Sequence, residues 1–159
     1  MSSVGYSVFT SSNVGLTGGV AKTCLMVMTP AQFGCSLTAF GIGALGTSPA
    51  ETPLLWQIVR STNATNSTPG TNNTNENSTI AQTRGQSITT GFTAFSASTS
   101  EPTVLTVIAQ NTLTPAGGLI ELQNVEGRGF ECGVSAGLGI RLNAPVAVNV
   151  RCELHFERI

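Results

Sequence analysis

Charge is what this sequence has least of. Only 9% of its 159 residues are Asp, Glu, Lys or Arg, against about 25% in an ordinary soluble domain. Aspartate is absent, Lys22 is the only lysine, His155 is the only histidine, and the net charge is −1. A nucleic-acid binder carries a basic stripe that neutralises phosphates. None can be drawn here, so no nucleic-acid partner is expected. The lack of aspartate also removes the commonest calcium and magnesium loops. The glutamates form no metal-like cluster, and no cofactor is expected. A surface this poor in charge suits a protein that spends its life assembled.

Long apolar runs are missing too. No stretch approaches the roughly 20 residues of a membrane-spanning helix. The residues before Lys22 hold neither the basic start nor the continuous apolar centre of a signal peptide. No membrane partner and no general secretion are expected. Catalytic groups are equally scarce. His155 falls between Glu153 and Glu157 in an alternating segment, the setting of a surface or interface imidazole rather than of an oriented base. The glycines at Gly117-Gly118, Gly127, Gly129, Gly137 and Gly139 precede no helix, so they read as turns and bulges, not phosphate cradles. The chain is not expected to be an enzyme. The four cysteines, Cys24, Cys35, Cys132 and Cys152, form no CxxC pair and have no histidine at metal spacing. They read as buried free thiols behaving as small hydrophobes, with two disulfides or a metal site as the alternative.

What is present is alternation. In the C-terminal segment Val146, Val148, Val150, Cys152, Leu154 and Phe156 alternate with Ala147, Asn149, Arg151, Glu153, His155 and Glu157, the period of a half-buried antiparallel strand. Shorter repeats of the pattern occur at Leu138, Ile140 and Leu142, at Ile120 and Leu122, and at Phe130, Cys132 and Val134. The segment from Thr103, TVLTVIAQ, is apolar on both faces, as a central sandwich strand would be, and those from Leu54 and Cys24 are similar. Weaker strands are predicted from Ser36 and Ser87. Proline and glycine turns separate most of them. Eight or nine short strands without a helical period predict an all-β antiparallel sandwich or barrel.

One domain over residues 1–159 is expected. The polar tract 61–79 contains six asparagines and would, as a linker, leave two halves too small to close a sandwich. It reads as a long surface loop, a cheap insertion because closure entropy grows only logarithmically with length. Its Asn-x-Ser/Thr triplets at Asn63, Asn66, Asn72 and Asn77 are those any Asn/Thr-rich tract generates. Trp56, in an apolar strand, is expected in the core. Tyr6 and Phe9 stand in an uncharged N-terminal segment, residues 1–19, and either begin the first strand or anchor an extended arm on a neighbouring subunit.

PGTNNT (Pro69 to Thr74), TRGQS, EPTVL (Glu101 to Leu105), LTPAGG (Leu113 to Gly118) and the closing segment from Ile140 to Arg158 together resemble a family of small β-proteins encoded in the virion structural regions of tailed phages. The likeness covers roughly the last 90 residues. It implies a jelly-roll-like sandwich acting as a capsid cement or decoration protein on the outside of the head shell. The implied partners are the major capsid protein and further copies of the chain, with a trimer favoured, and the implied location is the virion surface after assembly in the host cytoplasm. The candidate interface is then Tyr6 and Phe9 together with Arg151, Glu153, His155 and Glu157 on the polar face of the last strand. Two other readings compete: a tail or fibre module that binds host carbohydrate or receptor, and a secreted sandwich of tumour-necrosis-factor type with two disulfides.

Overall fold

The computed structural model describes residues 4–45, 52–62, 79–98, 101–102, 104–114, 120–123 and 129–159. Among them are twelve strands and no helix: β1 (Gly5–Phe9), β2 (Val14–Leu16), β3 (Ala21–Met28), β4 (Cys35–Leu45), β5 (Leu54–Thr62), β6 (Ile80–Arg84), β7 (Thr93–Ser96), β8 (Leu105–Leu113), β9 (Ile120–Gln123), β10 (Phe130–Cys132), β11 (Ala136–Asn143) and β12 (Val148–Arg158). Every pairing is antiparallel. The front sheet runs β10-β4-β12-β1-β6, with β9 sharing the β10 flank of β4 and β2 sharing the β1 flank of β12. The rear sheet runs β7-β3-β11-β5-β8. The two sheets pack face to face around one continuous apolar core.

Strand β12 shows why alternation closes the sandwich. Val148, Val150, Cys152, Leu154 and Phe156 are buried, while the residues between them are half-buried or exposed. Val146, expected on the same inward face, is 41% exposed. It follows Pro145, which fixes the chain in a bend before the ladder starts. Val134, expected to share a face with Cys132, is 52% exposed, because β10 ends at Cys132 and the next residues form a turn.

The strand expected at the sandwich centre lies at its edge. β8 pairs only with β5, and Val104 and Val107 on it or beside it are 50% and 41% exposed. Its apolar residues on both faces have separate destinations. Ile108 and Ala109 pack on the main core, and Leu105 packs on a second cluster outside the rear sheet with Met26, Met28, Val59 and Phe95. That cluster exists because β11 is narrow there. A Cβ on Gly139 would stand 2.5 Å from the Leu25 carbonyl oxygen, and one on Gly137 would meet both methionine sulfurs. The flexible thioethers fill the trough that the glycines leave.

The N-terminal segment is strand, not a free arm. β1 lies between β12 and β6, and β2 pairs with Val148 to Val150 of β12. Tyr6 is accordingly 1% exposed, inside the core. At the polar tract, Ser61 and Thr62 belong to β5 and residues 63–78, with the four triplets, lie outside the described residues.

Two ion pairs join segments far apart in sequence. Glu101, preceding β8, accepts hydrogen bonds from the Thr23 amide, from Thr23 Oγ1 at 2.8 Å and from Arg141 Nε at 2.9 Å. It thereby pins the loop before β8 over β3 and β11. Arg84 at the end of β6 pairs with Glu157 of β12. Hydrogen bonds to charged groups contribute about 1.5–3 kcal/mol each where solvent is partly excluded. The Glu101–Arg141 pair is roughly one-quarter exposed on each side, which places it at the lower end. Glu101→Ala is therefore expected to lower the free energy of unfolding by about 2 kcal/mol, read from the midpoint of urea denaturation. An unchanged midpoint would remove the clamp.

Candidate functional site

The outer face of the front sheet brings most of the candidate interface residues together. Register fixes its layout. On β12, Asn149, Arg151, Glu153 and His155 stand opposite Leu45, Gly43, Gly41 and Ala39 of β4. On the other flank of β12, Glu153, His155 and Glu157 stand opposite Phe9, Ser7 and Gly5 of β1. A polar ridge thus runs along β12, beside a row of small residues on β4.

The small row leaves a groove of about 300 Å³, lined by Phe9, Thr10, Gly41, Gly43, Arg151 and Glu153. Gly41 forms its floor. A Cβ on Gly41 would approach Glu153 Oε1 to 2.7 Å, so the glutamate lies across the position where a side chain would stand. Thr10 fixes the end of β1 against β12: its amide donates to the Cys152 carbonyl at 2.9 Å, and its hydroxyl accepts from the Cys152 amide at 3.3 Å. Arg151 Nε donates to Asn13 Oδ1 at 2.9 Å, which holds the guanidinium along the rim. His155 Nε2 lies 3.9 Å from Glu153 Oε1.

Of the six candidate residues, Phe9, Arg151 and Glu153 line the groove and His155 flanks it. Phe9 is 55% exposed, a large ring held out from a sheet face. Glu157 lies further along β12, held by Arg84. Tyr6 belongs to the interior and is corrected out of the set. Its ring stacks on Phe156 at 5.6 Å and meets Phe92 edge-on at 5.4 Å. The tyrosine and phenylalanine fall three positions apart on one strand, which sends odd and even positions to opposite faces.

Gly41, Gly43, Thr10 and Asn13 were missed. A signal existed for the glycines: GIGAL places them two apart, hence on one face of a strand. Whether that face looked in or out was not legible, because Ile42 and Ala44 fit a core equally well. The β3, β4, β10 and β12 cysteines are buried free thiols, as expected. Chemically the groove offers guanidinium donors at one rim, a carboxylate acceptor across its floor and an aromatic ring at its end. Compared with known protein families, curated proteins and solved structures, the chain matches none.

Proposed function

We propose that the protein is a capsid cement or decoration protein, docking through the outer face of its front sheet onto the outside of a phage head shell and bridging neighbouring capsid subunits. The observation that carries this reading is the combination of a half-exposed Phe9 with a groove floored by Gly41 and rimmed by Arg151. Exposed aromatics and arginines are the side chains that dominate protein interfaces. A groove floored by glycines, with the Glu153 carboxylate lying across it, admits an extended loop or strand from a neighbour. The low charge supports a surface made to be covered, since 9% charged residues give little electrostatic solubility.

The sheet order supports a jelly roll. With β6 and β7 set aside, and with β1/β2 and β9/β10 each counted as one, the strands fill eight positions in chain order. The first, eighth, third and sixth lie in the front sheet, and the second, seventh, fourth and fifth lie in the rear. Motifs behind the family likeness also meet in space, Glu101 with Arg141 and Arg84 with Glu157. Self-association as a trimer would give each particle contact three copies of the same face, so that weak contacts multiply. Carbohydrate binding has less support, because Trp56, the sole tryptophan, is 6% exposed and offers no stacking platform.

The test is stoichiometry. Shells purified without the protein are mixed with it, re-isolated by sedimentation, and their protein content is quantified by mass spectrometry. Saturation at a simple fraction of the major capsid protein's copy number is expected, along with a higher temperature of shell disruption. Failure to co-sediment, or saturation at a handful of copies, would overturn the cementing role.

A further inference from the structure

The four cysteines meet as two pairs. Cys35 and Cys132 are directly opposed on β4 and β10, and both are buried free thiols. Directly opposed residues of an antiparallel pair have Cα atoms about 4.5–5.5 Å apart, inside the roughly 4.4–6.8 Å window of disulfides. Cys24 of β3 and Cys152 of β12 lie in the core between the two sheets, where the Cys24 thiol pushes that of Cys152 up.

We propose that Cys132 and Cys35 form an oxidisable dithiol site, Cys132 acting as the peroxide-reactive nucleophile and Cys35 as the resolving thiol, and that the oxidised chain carries a Cys35–Cys132 disulfide. The inference is independent of the capsid role.

Three features separate this pair from the other. First, β10 is a three-residue strand at the edge of the front sheet, followed by the exposed residues Gly133 to Ser135. A short edge strand opens at far lower cost than the fold as a whole, giving a small oxidant access to a sulfur that is otherwise buried. Second, the surroundings favour a Cys132 thiolate. The Cys35 thiol beside it and the Arg60 guanidinium, which donates to the neighbouring Glu131 carbonyl at 3.4 Å, lower its pKa despite burial. The thiolate is the reactive form. Third, Cys24 and Cys152 lie on interior strands of the two sheets, β3 and β12, away from the edge at β10 that can open.

The chemistry balances with hydrogen peroxide as the oxidant. The Cys132 thiolate attacks one peroxide oxygen, the O–O bond breaks, and hydroxide leaves to be protonated as water. The resulting sulfenic acid is attacked by the Cys35 sulfur; the S–S bond forms, the S–O bond breaks, and a second water leaves. Two thiols and one peroxide give one disulfide and two waters.

The experiment treats the folded full-length chain with one equivalent of hydrogen peroxide, quenches, denatures, alkylates, and maps peptides by mass spectrometry. Free thiols are expected to fall from four to two, with Cys24 and Cys152 alkylated and the Cys35 and Cys132 peptides joined, lighter by two hydrogens and separable by reductant. In Cys35→Ser the disulfide cannot form, and Cys132 sulfenic acid trapped by dimedone is expected to rise well above that of the parent chain. Four free thiols under excess peroxide, sulfinic acid on Cys132 with Cys35 still free, or earlier oxidation of Cys24 and Cys152 would each overturn the proposal.

Discussion

Replacing Phe156 with alanine is expected to remove about 4–5 kcal/mol of folding free energy, at the upper end of the range for buried phenylalanines. The ring is 1% exposed on the central strand of the front sheet. It meets Phe92 edge-on at 5.0 Å and stacks with Tyr6 at 5.6 Å, while Phe92 in turn meets Phe33 at 5.1 Å. Four rings from β1, β12, the segment before β7 and the β3–β4 turn are therefore held by one another. Each such pair contributes about 0.5–1.5 kcal/mol beyond buried area, so alanine loses two of them in addition to the transfer and cavity terms. A domain of this kind has only about 5–15 kcal/mol in total. The variant should unfold at much lower urea, and Phe156→Leu should recover most of the loss by refilling the volume. Tyr6→Phe in the same cluster is expected to cost nothing, because Tyr6 Oη is buried without a hydrogen-bond partner among the described residues. A loss below about 1 kcal/mol for Phe156→Ala would mean the ring cluster does not hold the two halves of the core.

Phe156 also shows what a sequence can disclose. Five side chains alternating on β12 are a periodic signal, and period two states both the element and the face without reference to anything distant. The same holds for Leu138, Ile140 and Leu142 on β11, each at most 1% exposed. All-β class, antiparallel pairing and the main core follow from local pattern alone. Neighbour relations do not. β8 is apolar on both sides, and period cannot tell a strand between two others from an edge strand whose outer face meets a satellite cluster. The cluster of Met26, Met28 and Val59 depends on Gly137 and Gly139, in a strand far along the sequence from all three.

The site divides the same way. Arg151, Glu153 and His155 were placed on an outward face by alternation with the core residues of β12. Phe9 was singled out as a large apolar group in an uncharged segment, and Tyr6 was singled out with it for the same reason. Only the pairing of β1 to β12 sends one ring inward and the other outward. The groove depends on Gly41 lying beside Glu153, and the thiol pair on Cys35 lying beside Cys132, with 111 and 96 residues between their respective partners by position in the sequence. Register creates both, and it is set by the whole sandwich.

Phe9→Asp should do to particle binding what Phe156→Ala does to folding, and leave the fold alone. Covering the exposed half of a phenylalanine contributes about 1–2 kcal/mol per contact. Aspartate removes that and sets a second carboxylate opposite Glu153, where docking would strip water from both. A loss of about 3 kcal/mol per contact is roughly a hundredfold in affinity. If three copies engage together the losses multiply, and occupancy of shells should fall from saturation to near background. Gly41→Val should act in the same direction by filling the groove, since the atoms nearest its Cβ belong to the Glu153 side chain, which can swing away. Val107→Asp, on an exposed position of the opposite sheet's edge strand, is the control and should bind as the parent does. Phe9 and Val107 are exposed enough for unfolding midpoints to stay within about 0.5 kcal/mol of the parent; Gly41 is buried, so the Gly41→Val result counts only with its midpoint measured beside it. Full occupancy by both Phe9→Asp and Gly41→Val would remove the front sheet as the docking face. Loss of binding by Val107→Asp instead would move docking to the rear sheet. Dissociation of the free Phe9→Asp protein to monomers in sedimentation would assign this face to contacts between copies of the chain, leaving the shell to be met elsewhere.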